Sequence, residues 1–271
     1  MNAEQIKAIV QSTFNAVADG YDDPTLRFFP ACAKQLADLL ELRGDEQVLD
    51  VATGTGHAAL ELAARLPRGR ATGVDFSAGM LAQARRKAAA RGVANVDFAE
   101  MDMLDLRFDD GRFDAALCSF GIFFVENMEA ALAQIAAKVR PGGRVVLSSF
   151  QLDYFRPLRQ LLLDQLAARG VVLPPQPWER IATEAGFRAL CASAGLRDVR
   201  IEARNVGYHL ADENEWWRVV WNAGFRRLVG QLPPADLEAF RQEHLRKVAA
   251  LKTRAGLWLD IGVFFAQGVK S

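Results

Sequence analysis

At 271 residues, 51% of them hydrophobic, the chain is long enough for one large domain with a full core. Lysine plus arginine equals aspartate plus glutamate at 33 each, which gives no electrostatic case for a nucleic acid or an anionic membrane as partner. The three cysteines, Cys32, Cys118 and Cys191, are scattered, so neither a disulfide framework nor a metal site is expected.

Met1-Asn2-Ala3-Glu4 lacks the basic and apolar regions of a signal peptide, and the apolar stretch around Ala115 to Val125 is far short of a membrane span. Both point to a cytoplasmic protein. Residues 3 to 18 carry Ile6, Ile9, Val10, Phe14 and Val17 on a helical stripe, which stops at Asp19-Gly20-Tyr21-Asp22-Asp23-Pro24. A second helix is expected from about Phe28 to Glu41. Standing ahead of the first strand, these helices read as a lid over residues 1 to 44. Phe14 would pack within it, and Tyr21 could both pack and touch a ligand.

The organising stretch is Glu46 to Gly56. Val48 to Val51 is an apolar run interrupted only by Asp50, the pattern of a buried parallel strand. Gly54-Thr55-Gly56 follows, then strong helix formers from His57 to Leu66. Strand, glycine turn and helix together point to an open α/β sheet. In such sheets this turn lies at the carboxyl end of a central strand, where nucleotide-like ligands bind. Arg70 to Phe76 reads as a second strand ending in Asp75, 21 positions after Gly54. An acid there can accept from both hydroxyls of a ribose, so either a nicotinamide dinucleotide or S-adenosylmethionine satisfies the pattern.

Ser77 is the expected N-cap of a helix through Arg91. Asn95 to Glu100 is a third strand, with Met101-Asp102-Met103 at its end. Asp102 is placed to accept from the exocyclic amine of an adenine, with methionine against the ring. A fourth strand, Phe113 to Ser119, leads into Phe120-Gly121-Ile122-Phe123-Phe124-Val125. A helix over 128 to 139 follows. Arg140-Pro141-Gly142-Gly143 reads as a tight turn into a fifth strand, Arg144 to Phe150.

Residues 151 to 180 break the alternation with a helix near 155 to 169, a stretch containing Pro174, Pro175 and Pro177, and Trp178. A helix over 180 to 194 and a strand from Val199 to Arg204 resume it. Residues 212 to 249 are again helical, with Trp217, Trp221 and Phe225 spaced as a core stripe. Gly256 to Gly268 reads as a final strand able to join the sheet antiparallel.

In this order and spacing the motifs resemble a class I S-adenosylmethionine-dependent methyltransferase, within the ubiquinone/menaquinone C-methyltransferase-like group. They are Phe14-Asn15-Ala16-Val17-Ala18-Asp19-Gly20-Tyr21-Asp22, Val48 to Gly56, Gly73-Val74-Asp75-Phe76-Ser77, Asp102, Ser119-Phe120-Gly121 and Arg140-Pro141-Gly142-Gly143. The resemblance covers about residues 10 to 150, and the last strand loosely. It implies a Rossmann-like seven-stranded sheet whose last strand is antiparallel and lies between the fifth and sixth. The chain then reads as one methyltransferase domain over 1–271, with a cofactor-binding core at 45–150 that the resemblance covers and helical cap insertions at about 151–180 and 212–249 that it does not. Gly54, Thr55 and Gly56 would border the methionine and ribose of S-adenosylmethionine, Asp50 its ammonium and Asp75 the ribose hydroxyls. Asp102 and Met103 would hold adenine, and Ser119 would approach the methionine end. Tyr21, Ala52, Thr53, Phe76, Met80 and Phe120 complete the expected contacts.

Where the quinone enzymes carry an arginine-asparagine pair, this chain has Phe123 and Phe124, and residues 151–180 and 212–249 also depart from them. The implied reaction is methyl transfer to a small molecule, and these departures speak against the usual quinone precursor. Tyr154, Phe155, Trp178, Trp216, Trp217 and Trp221 in the cap are expected to line an apolar or aromatic acceptor pocket. No base is assigned. His57 reads as a cofactor-side or capping residue and His244 as exposed on a polar helix; His209 would lie on the acceptor side. Two other readings use the same residues: a nicotinamide dehydrogenase built on Gly54, Gly56, Ala59 and Asp75, and a non-catalytic cofactor-binding protein.

Overall fold

The computed structural model describes residues 3–173 and 176–271. Met1, Asn2, Pro174 and Pro175 lie outside the described residues.

Two helices come first, α1 (Ala3–Val17) and α2 (Phe28–Leu39). Between them Asp23 caps a short 3-10 helix at Pro24–Leu26, its Oδ1 accepting from the Thr25 amide at 2.8 Å. The alternating core follows as β1 (Gln47–Val51), α3 (His57–Arg65), β2 (Arg70–Asp75), α4 (Ala78–Ala90), β3 (Val96–Glu100), β4 (Phe113–Ser119), α5 (Met128–Lys138) and β5 (Val139–Phe150). The expected cap is in place, Ser77 Oγ accepting from the Met80 amide at 3.2 Å, and Asn127 Oδ1 caps α5 by accepting from the Ala130 amide at 2.9 Å. The remaining elements are α6 (Leu158–Ala167), α7 (Glu184–Ser193), β6 (Leu196–Asn205), β7 (Tyr208–Leu210), α8 (Glu213–Asn222), α9 (Arg226–Val229), α10 (Pro234–Ala249), β8 (Leu257–Leu259) and β9 (Gly262–Lys270).

The main sheet has seven strands in the order β3-β2-β1-β4-β5-β9-β6. The pairs from β3 to β5 are parallel, and β9 runs antiparallel between β5 and β6. The chain therefore winds outward from β1 in both directions. The β1/β4 junction is the point where the strand order reverses, the usual ligand position in open α/β sheets. Val48, Leu49 and Val51 are wholly buried, as a strand covered on both faces requires.

Several boundaries differ from the sequence reading. Arg140–Gly143 is not a separate turn. The ladder begins with Phe113 opposite Val139 and shifts to Ala115 opposite Arg144, a bulge that Gly142 makes possible at φ +76°. The helix expected from residue 180 starts at Glu184, because Thr183 Oγ1 caps the Gly186 amide at 3.1 Å. The single strand expected over 256–268 is two. The chain breaks at Asp260, whose carbonyl accepts from the Phe155 amide at 2.6 Å and whose carboxylate accepts from Asn205 Nδ2 at 2.5 Å. That break frees β8 to pair with β7 in a separate two-stranded sheet, which the sequence reading lacked.

The tryptophan stripe is also interrupted. Trp217 and Trp221 stack within α8 (6.4 Å, 22°), but α8 ends at Asn222, and Phe225 turns back toward Phe155 and Trp216. Among the described residues no helix is long and apolar enough to cross a membrane.

His244 corrects the expectation of an exposed side chain. It is completely buried in the helical cap between α8 and α6. Its Nε2 accepts from Trp216 Nε1 at 2.8 Å, so Nδ1 carries the proton and faces Gln165 Oε1 at 2.6 Å. Burial, with Lys247 nearby and Glu243 opposing, lowers its pKa to about 4. Protonation would turn Nε2 into a second donor against the Trp216 N–H. The neutral ring's contribution is therefore complete above the ordinary histidine pKa and is lost as pH falls through about 4, an effect of up to about 3 kcal/mol. Urea denaturation of wild type and His244→Gln between pH 7.5 and 4 should show the steeper acid loss in wild type; parallel curves would refute this assignment.

Candidate functional site

The turn after β1 is built from left-handed backbone. Ala52, Gly54 and Gly56 have φ of +57°, +55° and +82°. At Gly56 a Cβ would also meet Ala84 Cβ at 2.9 Å and the Phe98 ring at 3.2 Å, so α3 can approach α4 and β3 only without one. At Gly54 a Cβ would meet nothing within 4 Å, and the residue faces open space. The turn is pinned to β2 twice. Thr53 N donates to Val74 O at 2.9 Å, and Gly54 N donates to Asp75 Oδ2 at 2.9 Å.

Asp75 is the centre of this arrangement. Its second oxygen accepts from the Ser77 amide at 2.9 Å. Each oxygen keeps acceptor capacity on the cavity side. Burial raises the carboxyl to about 6 despite the Ser77, Gly54 and Phe76 amides, which favour the ionised form. Asp50 lies deeper, wholly buried beneath the turn. Its Oδ2 accepts from Thr53 Oγ1 at 2.5 Å, while Oδ1 is buried without a hydrogen-bond partner among the described residues. Burial pushes it up to about 7, with Asp75 adding to the rise.

A cavity of about 790 Å³ opens over the carboxyl ends of β1, β2 and β4, a size suited to a small ligand. Of the residues singled out from sequence, Tyr21, Ala52, Gly54, Asp75, Phe76, Met80, Asp102, Met103, Ser119 and Phe120 line it. Asp50, Thr53, Thr55 and Gly56 stand outside that lining. Tyr21 stacks on Phe29 (4.7 Å, 22°), and burial, with the charges of Asp75 and Asp22, pushes its phenol far up and keeps it neutral. Ser119 Oγ lies 3.4 Å from Ser148 Oγ, which accepts from the Phe120 amide at 3.2 Å.

The wall opposite the sheet comes from α1. Glu4, Ile6, Lys7 and Phe14 all face the cavity. Lys7 Nζ pairs with Asp102 Oδ2 at 2.5 Å, while Asp102 Oδ1 accepts from the Leu104 amide at 2.8 Å. Gln11 Nε2 donates to Phe76 O at 2.5 Å, and Asn15 Oδ1 accepts from Ser77 Oγ at 2.7 Å and Gly79 N at 3.0 Å. Lys7, Gln11 and Asn15 are four residues apart and share one helix face. That polar spacing was the missed signal.

A second unforeseen cluster fastens the loop after α1. Asp22 Oδ1 accepts from Thr55 Oγ1 (2.7 Å), Lys87 Nζ (2.8 Å) and His57 Nε2 (2.8 Å). Burial works against the Asp22 charge, yet the hydrogen bonds from His57, Lys87 and Thr55 hold the carboxyl well below the usual range. His57 thus serves the loop rather than the cavity lining.

The cap aromatics are a correction. Tyr154, Phe155, Trp178, Trp216, Trp217 and Trp221 are absent from the cavity lining. Tyr154 stacks on Phe150 and meets Trp178 edge-on, and Phe155 meets Trp216, because these rings cover one another in the cap core. His209 likewise lies away from the cavity, exposed on β7 against Trp258.

A family profile described as a methyltransferase domain matches residues 48–143. The demethylmenaquinone methyltransferase of Thermus thermophilus is 44% identical over 117 residues, which are 43% of this chain and 53% of that protein. The ubiquinone/menaquinone biosynthesis C-methyltransferase UbiE of Geobacter sulfurreducens is 33% identical over 177 residues, 59% of this chain and 68% of that protein. The chain spans about half the length of the curated relatives it matches. Among solved structures, the YcgJ protein of Bacillus subtilis superposes with a TM-score of 0.60 at 21% identity, covering 89% of this chain and 98% of that one, a likeness of fold.

Gly56→Ala should destabilise the protein by about 2 kcal/mol, since it combines a strained dihedral with a close approach. Chemical denaturation checks this, and wild-type stability in the variant would show that the turn tolerates a side chain.

Proposed function

The chain belongs to the class I S-adenosylmethionine-dependent methyltransferases, in the ubiquinone/menaquinone C-methyltransferase-like group, and from that premise we propose that it transfers a methyl group to a small, apolar or aromatic acceptor. The observation that carries this reading is the Asp75 carboxylate, fixed by the Gly54 and Ser77 amides at the edge of the cavity. The residues present fit the cofactor on two further counts. Gly54 leaves the backbone open to close approach, and the charge of buried Asp50, which stands behind the cavity lining, suits an ammonium held through water. Asp75 would hold the ribose hydroxyls, Asp102 and Met103 the adenine, and Ala52, Phe76 and Met80 the apolar flanks. Tyr21, Ser119 and Phe120 would border the methionine end.

When bound, S-adenosylmethionine would supply an electrophilic methyl on its sulfonium, the acceptor's electron pair forming the new bond to carbon as the carbon–sulfur bond breaks and its pair stays on a neutral thioether. The protein's part is alignment and exclusion of water. The cavity lining contains no histidine among the described residues, and its carboxylates beyond Asp75 and Asp102 are Glu4, Glu126 and Glu129. Asp75 is committed to two amides, Asp102 to Lys7 and Glu129 to Arg180, so none of these is assigned as a base. The named relatives act on demethylmenaquinone and in ubiquinone or menaquinone biosynthesis, which supports a ring-shaped acceptor.

The whole chain would then be one methyltransferase domain, with a lid at 1–44, a cofactor-binding core at 45–150 and cap insertions at about 151–180 and 212–249. It would work in the cytoplasm without a nucleic-acid partner, in keeping with its zero formal net charge.

Calorimetric titration should give micromolar binding of S-adenosylmethionine, about −8 kcal/mol, lost in Asp75→Ala and absent for NAD; binding of NAD instead would favour the dehydrogenase reading. Both carboxyls act as ionised acceptors, and their pKa values are raised to about 7 and about 6. Affinity should therefore fall as pH drops through that window, by at least about tenfold between pH 8 and 5. A pH-independent dissociation constant would remove Asp50 and Asp75 from the binding set.

A further inference from the structure

Five aromatic side chains face the cavity: Phe14, Tyr21, Phe76, Phe120 and Phe124. Three are committed elsewhere. Phe76 follows Asp75 directly and belongs to the ribose end. Tyr21 stacks on Phe29 (4.7 Å), and Phe120 stacks on Phe150 (4.4 Å, 26°). Behind them the stack continues through Phe28, Tyr154 and Phe155. The space beyond the carboxyl end of β5 is thus packed with rings.

Phe14 and Phe124 stand apart from that stack, although Phe14 also meets Tyr21 edge-on at 6.2 Å and Phe124 tilts against Phe123 at 4.9 Å. They come from separate elements, α1 and the 3-10 helix Ile122–Phe124, and meet edge-on across the cavity wall at 4.9 Å and 86°. Both are only half-buried. Phe14 belongs to a small satellite cluster with Val17, Ala18, Met80 and Tyr21, outside the main core. Much of α1 is exposed; it is held by buried Val10 and Val17, by the polar contacts of Lys7, Gln11 and Asn15, and by Arg226 on the Ala16 carbonyl. Because the contact is edge-on, a flat ring entering between the two would replace it as the rings turn and part. Ile6 and Val125 add apolar wall beside the pair. The nearby cation, Lys7, is already paired with Asp102, so nothing at this point rewards an anionic acceptor.

We propose that Phe14 and Phe124 are the specificity-determining pair of the cavity, turning out of their edge-on contact to clamp an uncharged, planar aromatic acceptor. This rests on the methyltransferase reading above. It adds which residues select the acceptor, and it excludes the cap tryptophans from that task.

The test separates the two claims. Wild type, Phe14→Ala, Phe124→Ala and the conservative Phe124→Leu are first titrated with S-adenosylhomocysteine, and their thermal midpoints are compared. The protein saturated with S-adenosylhomocysteine is then titrated with 1,4-naphthoquinone as the planar probe. The expected result is S-adenosylhomocysteine affinity within about twofold of wild type in all four. Naphthoquinone binding should weaken at least about tenfold in each alanine variant and less in Phe124→Leu. Trp217→Ala should bind the probe as wild type does. Equal probe affinity in wild type and both alanine variants, or no probe binding to wild type, would overturn the clamp while leaving the cofactor reading intact. Failure of wild type to bind S-adenosylhomocysteine would overturn both.

Discussion

The hydrogen bond from the Gly54 amide to Asp75 Oδ2, beside the Thr53 amide on the Val74 carbonyl, ties the turn after β1 to the end of β2. It runs from the turn after β1 to the last residue of β2, beside the β1/β4 junction where the strand order reverses. The turn must be left-handed to present that amide, which explains positive φ at Ala52, Gly54 and Gly56 within five residues. The carboxylate must be buried to receive it, and burial is what raises its pKa. Met101 N also donates to the Asp75 carbonyl at 3.0 Å, so the chain leaving β3 toward Asp102 is set from the same residue. One side chain and its backbone thus position three strand ends.

The helical segments divide the remaining work in a way that composition alone would not indicate. The rings of the 151–157 segment, Trp178, α8 and α10 fill the cap core, so the cap rings make no direct wall for the cavity. The cap's contribution reaches the site through the last turn of α1 and the loop after it. Arg226 Nη1 donates to Ala16 O at 2.8 Å, Arg218 pairs with Asp23 at 3.8 Å, and the Asn222 side chain packs directly on Gly20. From the other side Asp22 is held by Thr55, His57 and Lys87. The loop carrying Tyr21 is therefore gripped between the cap and the glycine-turn helix, while α1 itself lies on a thin apolar contact.

Much of the fold was legible because its signals are local. Val48 to Val51, the two glycines and Asp75 follow strand and turn rules that depend on near neighbours, and the antiparallel last strand came with the family resemblance. The signals that failed are those decided by distant partners. His244 sits in a helix rich in charge, yet Trp216 and Gln165 bury it from elsewhere in the chain. The sequence 256–268 is uniformly strand-like, and only contacts from Phe155 and Asn205 split it at Asp260. The cap aromatics read as pocket lining because composition reports that rings are present, not which rings cover one another. For the cavity itself, the glycine turn and acids could be read directly, whereas Lys7, Gln11 and Asn15 look like any solvated helix face until their partners are known.

The buried carboxylates show why such a site survives in a fold that must also be stable. Asp50, with one oxygen unpartnered, and Asp75, 7% exposed, would each be more stably replaced by apolar residues if packing were the only demand. Thr53 and the turn amides compensate only part of the desolvation, and the raised pKa values express the remainder. A bound cation beside Asp50 and hydroxyl donors beside Asp75 would relieve that residue of unfavourable energy, so the ligand would recover free energy that the empty fold leaves unsatisfied. The apolar end needs no comparable strain. Phe14 and Phe124 exchange one ring contact for another, so the polar half of the cavity would hold the invariant partner tightly while the aromatic half accepts a ring on shape.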